Sequence, residues 1–192
     1  MSALETTSRS TVPDVFDGRV AWVFGDDFDI DLIIGVQNIK SYDTEFLLSV
    51  CMDAYESGFA GKVQQGDLLV AGRNFGYGHP HYPPMVAMRA AGIVAVVAES
   101  YAPGFYRGET FNGLPLLRCP GVTGAVERWD RLRIDWARGQ VENVRTGDRL
   151  ASEVPPERVQ QIWRAGGSIP LLRAEHARKD GHGGETANEE GT

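Results

Sequence analysis

Cysteine is nearly absent from this chain of 192 residues: it occurs only as Cys51 and Cys119, and neither belongs to a C-x-x-C pair. A disulfide framework, or a zinc site made by this chain alone, is therefore not expected. Basic residues are also in the minority, with 19 lysines and arginines against 26 aspartates and glutamates and a net charge of −7. Because there is no basic stripe, neither nucleic acid nor an anionic membrane is an expected partner.

Long apolar runs are missing as well. No run is long enough to span a bilayer, and residues 1–7 lack the charged and apolar regions of a signal peptide. The sequence thus predicts a cytoplasmic protein.

The chain does contain enough apolar side chains for one core, at 42% hydrophobic residues. Residues 1–17 carry Ser, Thr and Pro without periodicity, which predicts a flexible N-terminal arm. Residues 174–192 are polar, charged and glycine-rich, which predicts a disordered C-terminal tail. A single domain is expected between them, over residues 18–173.

Hydrophobic periodicity predicts an alternation of strands and helices in this domain. Residues 19–24 and 67–72 are apolar runs typical of strands, whereas residues 42–55 and 85–92 have a helical spacing. Further along, two short alternating runs flank Gly139, at residues 131–136 and 140–144, and predict a β-hairpin. A last helix is expected to begin at Pro155 and Pro156 and to end at Gly166 and Gly167.

The loop after the second predicted strand holds two histidines among glycines and leads into a helix N-terminus. Residues 72–82 have the letters G-R-N-F-G-Y-G-H-P-H-Y. Unpaired backbone N–H groups at a helix N-terminus favour a bound carboxylate or phosphate, and glycine lets a ligand approach the backbone closely. Because imidazole titrates near neutral pH, His79 and His81 are candidate acid and base groups. The alternative for each is a loop histidine that packs or meets solvent.

Four blocks of sequence carry a wider pattern. They are residues 25–34 (G-D-D-F-D-I-D-L-I-I), residues 66–76 (G-D-L-L-V-A-G-R-N-F-G), residues 92–102 (G-I-V-A-V-V-A-E-S-Y-A), and the segments 105–107 (F-Y-R) and 112–115 (N-G-L-P). Between about residues 20 and 172 the chain thereby resembles the isopropylmalate dehydratase small subunits, relatives of the aconitase swivelling domain. The resemblance implies an α/β swivelling-domain fold, in which helices flank a mixed sheet and a small C-terminal β-hairpin and helix follow.

The chain departs from this family pattern in the histidine-bearing loop. The family continues G-x-G-S-S-R-E, where the first serine is the catalytic base and the arginine holds a substrate carboxylate. Here these two positions are His79 and His81, with Pro80 between them. In the first block, Ile30 replaces a threonine, and residues 35–37 replace the P-A-R that often follows. The resemblance therefore implies an atypical member, in which His79 takes the place of the serine base.

The resemblance also implies a reaction and a partner. The family adds or removes water across a carbon–carbon double bond next to a carboxylate, assisted by a [4Fe–4S] cluster acting as a Lewis acid. Two isolated cysteines cannot hold such a cluster, so it would belong to a larger aconitase-like subunit in a heterodimer or heterotetramer. We expect a hydro-lyase subunit, a dehydratase, hydratase or isomerase, acting on a hydroxycarboxylic acid other than isopropylmalate. The alternative is a non-catalytic partner-binding or regulatory module that keeps the fold.

A set of substrate-binding residues is expected around the two histidines. Asp29 or Asp31 is a candidate to position an imidazole and raise its basicity, against the alternative of capping a turn. Arg73 is a candidate to bind a substrate carboxylate, against the alternative of a salt bridge to the acidic segment. A metal site using both histidines and an acidic side chain is a weaker possibility, which the spacing does not establish. The expected catalytic residues are His79 and His81, and the expected substrate contacts are Arg73, Asn74, Gly76, Tyr77, Gly78, Tyr82, Asp29 and Asp31.

Overall fold

The computed structural model describes residues 13–182, which form one seven-stranded mixed sheet flanked by helices. The strands are β1 Val15–Phe24, β2 Asp67–Ala71, β3 Ile93–Ala98, β4 Leu116–Arg118, β5 Arg131–Asp135, β6 Gln140–Asn143 and β7 Arg149–Ala151. The helices are α1 Thr44–Ser49, α2 Pro83–Ala91, α3 Pro103–Phe111, α4 Val122–Ala125, α5 Glu157–Arg164 and α6 Ser168–His182. Neighbouring strands follow the order β4-β3-β2-β1-β5-β6-β7.

Strands β1 to β4 run parallel and form the more deeply buried half of the sheet. All five residues of β2 are buried, as is typical of a parallel strand covered on both faces. Helices α2 and α3 make the crossovers from β2 to β3 and from β3 to β4. Gly92 ends α2 at φ +118°, where an added Cβ would lie 2.7 Å from the Gln64 carbonyl oxygen. Only glycine fits this left-handed helix end without a shift of the backbone.

Strands β5, β6 and β7 form an antiparallel meander on the other side of β1. In β5, Leu132 and Ile134 are buried while Arg131 and Arg133 are exposed, the alternation of a sheet with one solvated face. Strand β1 joins the two halves because its residues 15–19 pair with β5 and its remaining residues pair with β2.

Helix α5 packs beside this junction. Trp163 of α5 and Trp136 after β5 are both fully buried, and their rings meet edge to face with centroids 5.6 Å apart. The indole N–H of Trp136 donates to the Pro13 carbonyl oxygen at 2.9 Å, which satisfies its polar atom. No helix within residues 13–182 is long and apolar enough to cross a membrane.

Most of the predicted elements are confirmed: the mixed sheet, the strand and helix on either side of the histidine-bearing loop, and the β-hairpin. The helix predicted over residues 42–55 is shorter and ends at Ser49. Beyond it, Met52 has a φ of +57° and its N–H donates to the Ile33 carbonyl oxygen at 2.6 Å, so a contact with another loop redirects the chain. Strands β3, β4 and β7 and helices α3, α4 and α6 were not among the predicted elements.

The predicted arm and tail are each too long at their inner end. Strand β1 begins at Val15, because residues 15–19 find a partner in β5. Helix α6 runs from Ser168 to His182 and so includes the first part of the predicted tail. Residues 1–12 and 183–192, which make up the rest of both predictions, lie outside the described residues.

Candidate functional site

Two loops meet at the carboxyl edge of the parallel strands. The acidic loop (residues 25–31) follows β1, and the histidine loop (residues 72–82) follows the neighbouring β2, whose last residue pairs with the last residue of β1. The backbone N–H groups of Gly76 and Tyr77 donate to the Phe28 carbonyl oxygen at 3.1 and 3.2 Å. The two loops therefore form one structural unit.

On its outer side, the unit is held together by an ion pair and an amide–carboxylate hydrogen bond between the two loops. Arg73 Nη2 lies 2.6 Å from Asp26 Oδ2, and the Arg73 backbone N–H donates to Asp26 Oδ1 at 2.7 Å. The Arg73 side chain, followed by its backbone N–H, holds the pKa of Asp26 below its ordinary value. Gly72 allows the close approach, because a Cβ there would lie 2.3 Å from Asp26 Oδ1. Asn74 Nδ2 donates to Asp27 Oδ1 at 2.7 Å.

The two inner carboxylates have different partners. Asp29 accepts the Asp31 backbone N–H at 3.0 Å and caps the short 3-10 helix Ile30–Ile33, so it takes the turn-capping alternative. Asp31 is buried, with 6% of its surface exposed, and both of its oxygens face His81. Oδ1 accepts the His81 backbone N–H at 3.2 Å, and Oδ2 lies 2.6 Å from the ring Nδ1. Asp31, rather than Asp29, is therefore the carboxylate that holds an imidazole.

This contact determines which nitrogen of His81 is available to a ligand. When Nδ1 donates its hydrogen bond to the carboxylate, Nε2 is the hydrogen-bond acceptor of the neutral ring and becomes a second donor in the cationic ring. The His81 side chain is 36% exposed. His79 is exposed, and its ring centroid lies 5.3 Å from that of His81 with the planes at 71°. The structure thus brings the two predicted catalytic residues edge to face at one point of the loop.

A cavity of about 150 Å³ lies between the histidine loop and α3. His81 lines it together with Ile30, Pro80 and Tyr82, and Gly104 and Gly108 line it from α3. A larger cavity of about 280 Å³ lies elsewhere, against Arg118 and Glu153. The smaller cavity is the relevant one, because it is the one that a candidate catalytic side chain reaches.

The remaining predicted site residues fall into two groups. Tyr77 and Tyr82 are 54% and 43% exposed, which leaves both rings open to a ligand or a partner. Gly78 lies against Asp29, since an added Cβ would be 3.3 Å from Oδ2. Gly76 is buried, and a Cβ there would lie 2.3 Å from the Phe105 ring, so the role of this glycine is to let the loop pack against α3.

Tyr55 is a neighbour of the site that the sequence did not single out. Its ring packs against those of Trp22 and Phe28, with centroids 6.4 and 5.9 Å away. Burial, and then the charge of Asp29, raises the pKa of its hydroxyl. No local pattern marks this tyrosine, because its contact with the acidic loop arises only when the chain folds back.

The described residues do not suit an iron–sulfur cluster. Between residues 13 and 182, no three His, Cys, Asp or Glu side chains are grouped so that they can hold a metal ion. Cys51 and Cys119 are buried free thiols, and burial raises their pKa to about 12 and about 11. Cluster ligation requires the thiolate form, which this burial disfavours.

Known proteins resemble the chain over most of its length, although no family model matches it. It is 41% identical over 165 residues to the 3-isopropylmalate dehydratase small subunit 1 of Methanopyrus kandleri, which covers 86% of this chain and 96% of that protein. It is 35% identical over 163 residues to the isopropylmalate/citramalate isomerase small subunit of Methanocaldococcus jannaschii, covering 85% and 96%.

A solved structure agrees with these sequence matches. The crystal structure of a 3-isopropylmalate dehydratase from Methanocaldococcus jannaschii matches with a TM-score of 0.78 at 30% identity, covering 88% of this chain and 99% of that one. This likeness confirms the predicted fold class.

Proposed function

Because this chain belongs to the family of 3-isopropylmalate dehydratase small subunits, we propose that it is the small subunit of an aconitase-type hydro-lyase whose substrate is a hydroxycarboxylic acid other than isopropylmalate. In this proposal His79 acts in place of the serine base of the family, and the complex works in the cytoplasm. The observation that carries the proposal is the pair of imidazoles at the carboxyl edge of the parallel strands, one of them held by the buried Asp31.

His79 is the proposed proton-transferring group. It is exposed on the loop between Gly78 and Pro80, so a substrate held by a partner subunit can reach its ring. In dehydration, the ring takes the proton from the carbon next to the substrate carboxylate, the C–H electron pair forms the double bond, and the hydroxyl group leaves the neighbouring carbon and is released as water. In hydration, water adds its oxygen to that carbon and the ring returns the proton. An imidazole suits both directions because a ring nitrogen can accept the proton and return it.

His81 is the proposed neighbouring group that binds the substrate and supports the transfer. Asp31 fixes the orientation of its ring, so Nε2 points in a defined direction beside the exposed His79. A side chain that is held before the substrate arrives does not have to be ordered during the reaction.

The substrate is proposed to differ from isopropylmalate because the arginine clamp of the family is missing. An imidazole at His81 cannot make the bidentate contact of a guanidinium with a carboxylate. Arg73, the other candidate, is already bonded to Asp26. We therefore expect a substrate with one carboxylate fewer at this position, or with a bulkier or aromatic group against Tyr77 and Tyr82.

A larger aconitase-like subunit is the proposed partner, and the [4Fe–4S] cluster is proposed to reside on it. The buried cysteines of this chain support the assignment of the cluster to the partner. Exposed apolar side chains in the segments after β1 and β2 support an interface at this edge. They are Leu32, Val36, Tyr42, Phe46, Tyr77 and Tyr82. A heterodimer and a heterotetramer are both compatible with such an interface.

A non-catalytic module is the second candidate. The observation in its favour is that two of the candidate ligand-binding side chains are engaged within the chain, Arg73 by Asp26 and His81 by Asp31. In that case the fold serves to bind a partner protein or a small anion.

An anaerobic pull-down of the tagged chain from its native host tests the proposal, with mass spectrometry of the partners and an ultraviolet-visible spectrum of the eluate. We expect a larger aconitase-like subunit and iron–sulfur absorbance. The complex is then offered isopropylmalate and a panel of other hydroxy acids, and a higher kcat/KM for one of the others supports the proposal.

Two results would contradict it. Ordinary turnover of isopropylmalate refutes the altered substrate. Repeated recovery of the chain alone and colourless, under conditions that preserve labile clusters, favours the non-catalytic module.

A further inference from the structure

We infer that the cavity between the histidine loop and α3 is a recognition pocket for an uncharged, apolar group on a small hydroxy acid. The inference rests on the proposed function in one respect, that this acid is the substrate of the His79 site. The shape and the charge of the pocket are properties of the described residues and carry the argument.

Missing side chains on α3 create the space. Gly104 and Gly108 stand one turn apart, so they share a face of the helix. A Cβ added to either glycine would meet no heavy atom outside the helix within 4 Å. Phe105 and Ile30 line the cavity as buried side chains, and the apolar surface open to a ligand is that of Pro80 and of the Tyr82 ring, which is 43% exposed. A volume of about 150 Å³ accommodates a group about the size of a phenyl ring.

The charges around the cavity disfavour a second carboxylate there. Neither lysine nor arginine is among the described residues that line it. Glu109 lines one end, but it is 5% exposed and is paired with Arg89 and with the Asn112 amide. Behind His81 lies the buried Asp31. An anionic group would enter beside two carboxylates without an unmatched cation to receive it, at a large cost in desolvation.

The polar end of the pocket is His81, which places a ligand relative to the proposed base. Its Nδ1 is bonded to Asp31, so Nε2 is the nitrogen that can meet the hydroxyl or carboxylate of the acid. The rings of His81 and His79 lie 5.3 Å apart between centroids, so one small acid can contact both. An acid anchored here has its apolar side group beside Gly104 and Gly108.

Titration of the full-length, nitrogen-15-labelled chain with lactate, malate and 3-phenyllactate tests the inference by nuclear magnetic resonance. The three probes are 2-hydroxy acids that differ in the side group. We expect 3-phenyllactate to shift the amide signals of Gly104 and Gly108 and to bind about tenfold tighter than lactate or more, because buried apolar area drives binding. Malate should bind no better than lactate. Equal binding of malate and 3-phenyllactate, or unmoved glycine signals, would overturn the inference.

A pair of matched variants locates the binding. Gly108→Val places methyl groups in the cavity. We expect it to weaken 3-phenyllactate binding by about tenfold, because the methyl groups occupy the volume that the phenyl group of the ligand would fill. Gly124→Val is the control, since Gly124 is also exposed, also helical and also open around its Cβ, but lies on α4 away from the cavity. Gly108→Ala repeats the test with a smaller group. Equal affinities in the Gly108 and Gly124 variants, with melting temperatures near that of the wild type, would refute the pocket.

The titration and the turnover assay test the pocket and the altered-substrate proposal independently, so either hypothesis can be refuted without the other. The titration uses this chain alone, so its result does not depend on a partner subunit or a cluster. If 3-phenyllactate binds at Gly108 while the assembled complex turns over isopropylmalate normally, the pocket is supported and the altered-substrate proposal is refuted.

Discussion

The antiparallel half of the sheet and the carboxyl edge of its parallel half each contain a buried aspartate. In the antiparallel half, Asp130 accepts from Arg145 Nη2 at 3.0 Å, from Asn143 Nδ2 at 2.8 Å and from the Glu127 backbone N–H at 2.9 Å. At the carboxyl edge, Asp31 accepts from the backbone and the ring of His81. Both carboxylates are satisfied, but by donors of different chemistry.

The type of donor separates structure from chemistry in these two regions. Guanidinium, amide and backbone donors keep their protons near neutral pH. The hydrogen bonds of Asp130 are therefore permanent, and they connect the start of β5 to the end of β6. The partner of Asp31 is an imidazole, a side chain that can act as a general acid or base and that has a second ring nitrogen to offer. A buried carboxylate therefore indicates a functional site when its partner can itself exchange a proton. The four predictions below test this comparison.

The largest effect is expected from His79→Ala in the assembled complex. Removal of a general acid–base group should lower kcat by about 10²- to 10⁴-fold. His176→Ala is the matched control, because this histidine is exposed on α6, away from the histidine loop, and its loss should leave kcat unchanged. Steady-state kinetics on complexes of verified composition give the answer. Undiminished turnover with intact assembly would exclude His79 as the base.

In the antiparallel half, Asp130→Asn should lower stability and spare turnover. Arg145, against the opposing effect of burial, holds the pKa of Asp130 at about 2 instead of 3.8, which corresponds to about 2 kcal/mol in the free energy of unfolding at neutral pH. The unfolded chain binds the proton more readily, so this stabilisation is present above pH 3.8 and is lost as the pH falls through 2. Urea unfolding at several pH values should therefore show a deficit at pH 7 that narrows in acid.

Turnover of the Asp130→Asn complex, measured well below its melting temperature, provides the second half of that test. We expect kcat within about twofold of the wild type, because the substituted carboxylate does not belong to the site and one hydrogen bond is the main loss. A large fall in kcat of the folded complex would end the distinction between the two regions.

His81→Arg should shift substrate preference. An arginine at this position can bond to Asp31 and offer the bidentate grip that the imidazole lacks, which favours a second carboxylate on the substrate by about tenfold. His81→Lys is the control, since it brings a positive charge without the planar fork. The measured quantity is the ratio of kcat/KM for a dicarboxylic and a monocarboxylic hydroxy acid. The same ratio in both variants would mean that charge alone, and not geometry, selects the substrate.

The smallest effects are expected from two exposed arginines, one in each region. Arg73 pairs with Asp26 beside the site, and Arg133 pairs with Asp17 in the antiparallel half. Exposed ion pairs contribute little, so Arg73→Ala and Arg133→Ala should each keep the melting temperature within about 3 °C of the wild type. Only Arg73→Ala should raise KM, because only Arg73 lies beside the site. The rise should be no more than about threefold, because Asp26 and solvent already screen the charge of Arg73. An identical KM in both variants would remove Arg73 from the substrate-binding set.

Elements determined by their own residues were the ones that the sequence predicted well. Strand β2 is a short apolar run, α2 has helical periodicity and a glycine end, and β5 with β6 alternates around Gly139. Each of these signals is complete within a few residues. Where an element depends on a distant partner, prediction was wrong at its boundary, as at the start of β1 and the end of α1.

The site was predictable to the extent that one loop carries it. The glycines and the family register singled out His79 and His81, and a carboxylate partner for an imidazole was expected from the acidic loop. That this partner is Asp31 rather than Asp29 depends on a contact between residues 50 positions apart, which spacing does not reveal. Gly104 and Gly108 were missed because the helix that carries them, α3, was not among the predicted elements, and only on a helix do two glycines four residues apart indicate open space on one face.

The pairing of strand β1 implies an order of folding during synthesis at the ribosome. Its later residues find β2 early, with Val20 opposite Leu68, whereas Val15 must wait for Asp135, about 120 residues further along. Until then, half of the strand is an unpaired edge, and such edges attract other chains. Asp17 and Arg19 lie on that waiting half, and charged side chains on an edge discourage this association. Asp17 and Arg19, which later form ion pairs with Arg133 and Asp67, thus reduce the tendency of the nascent chain to associate with other chains.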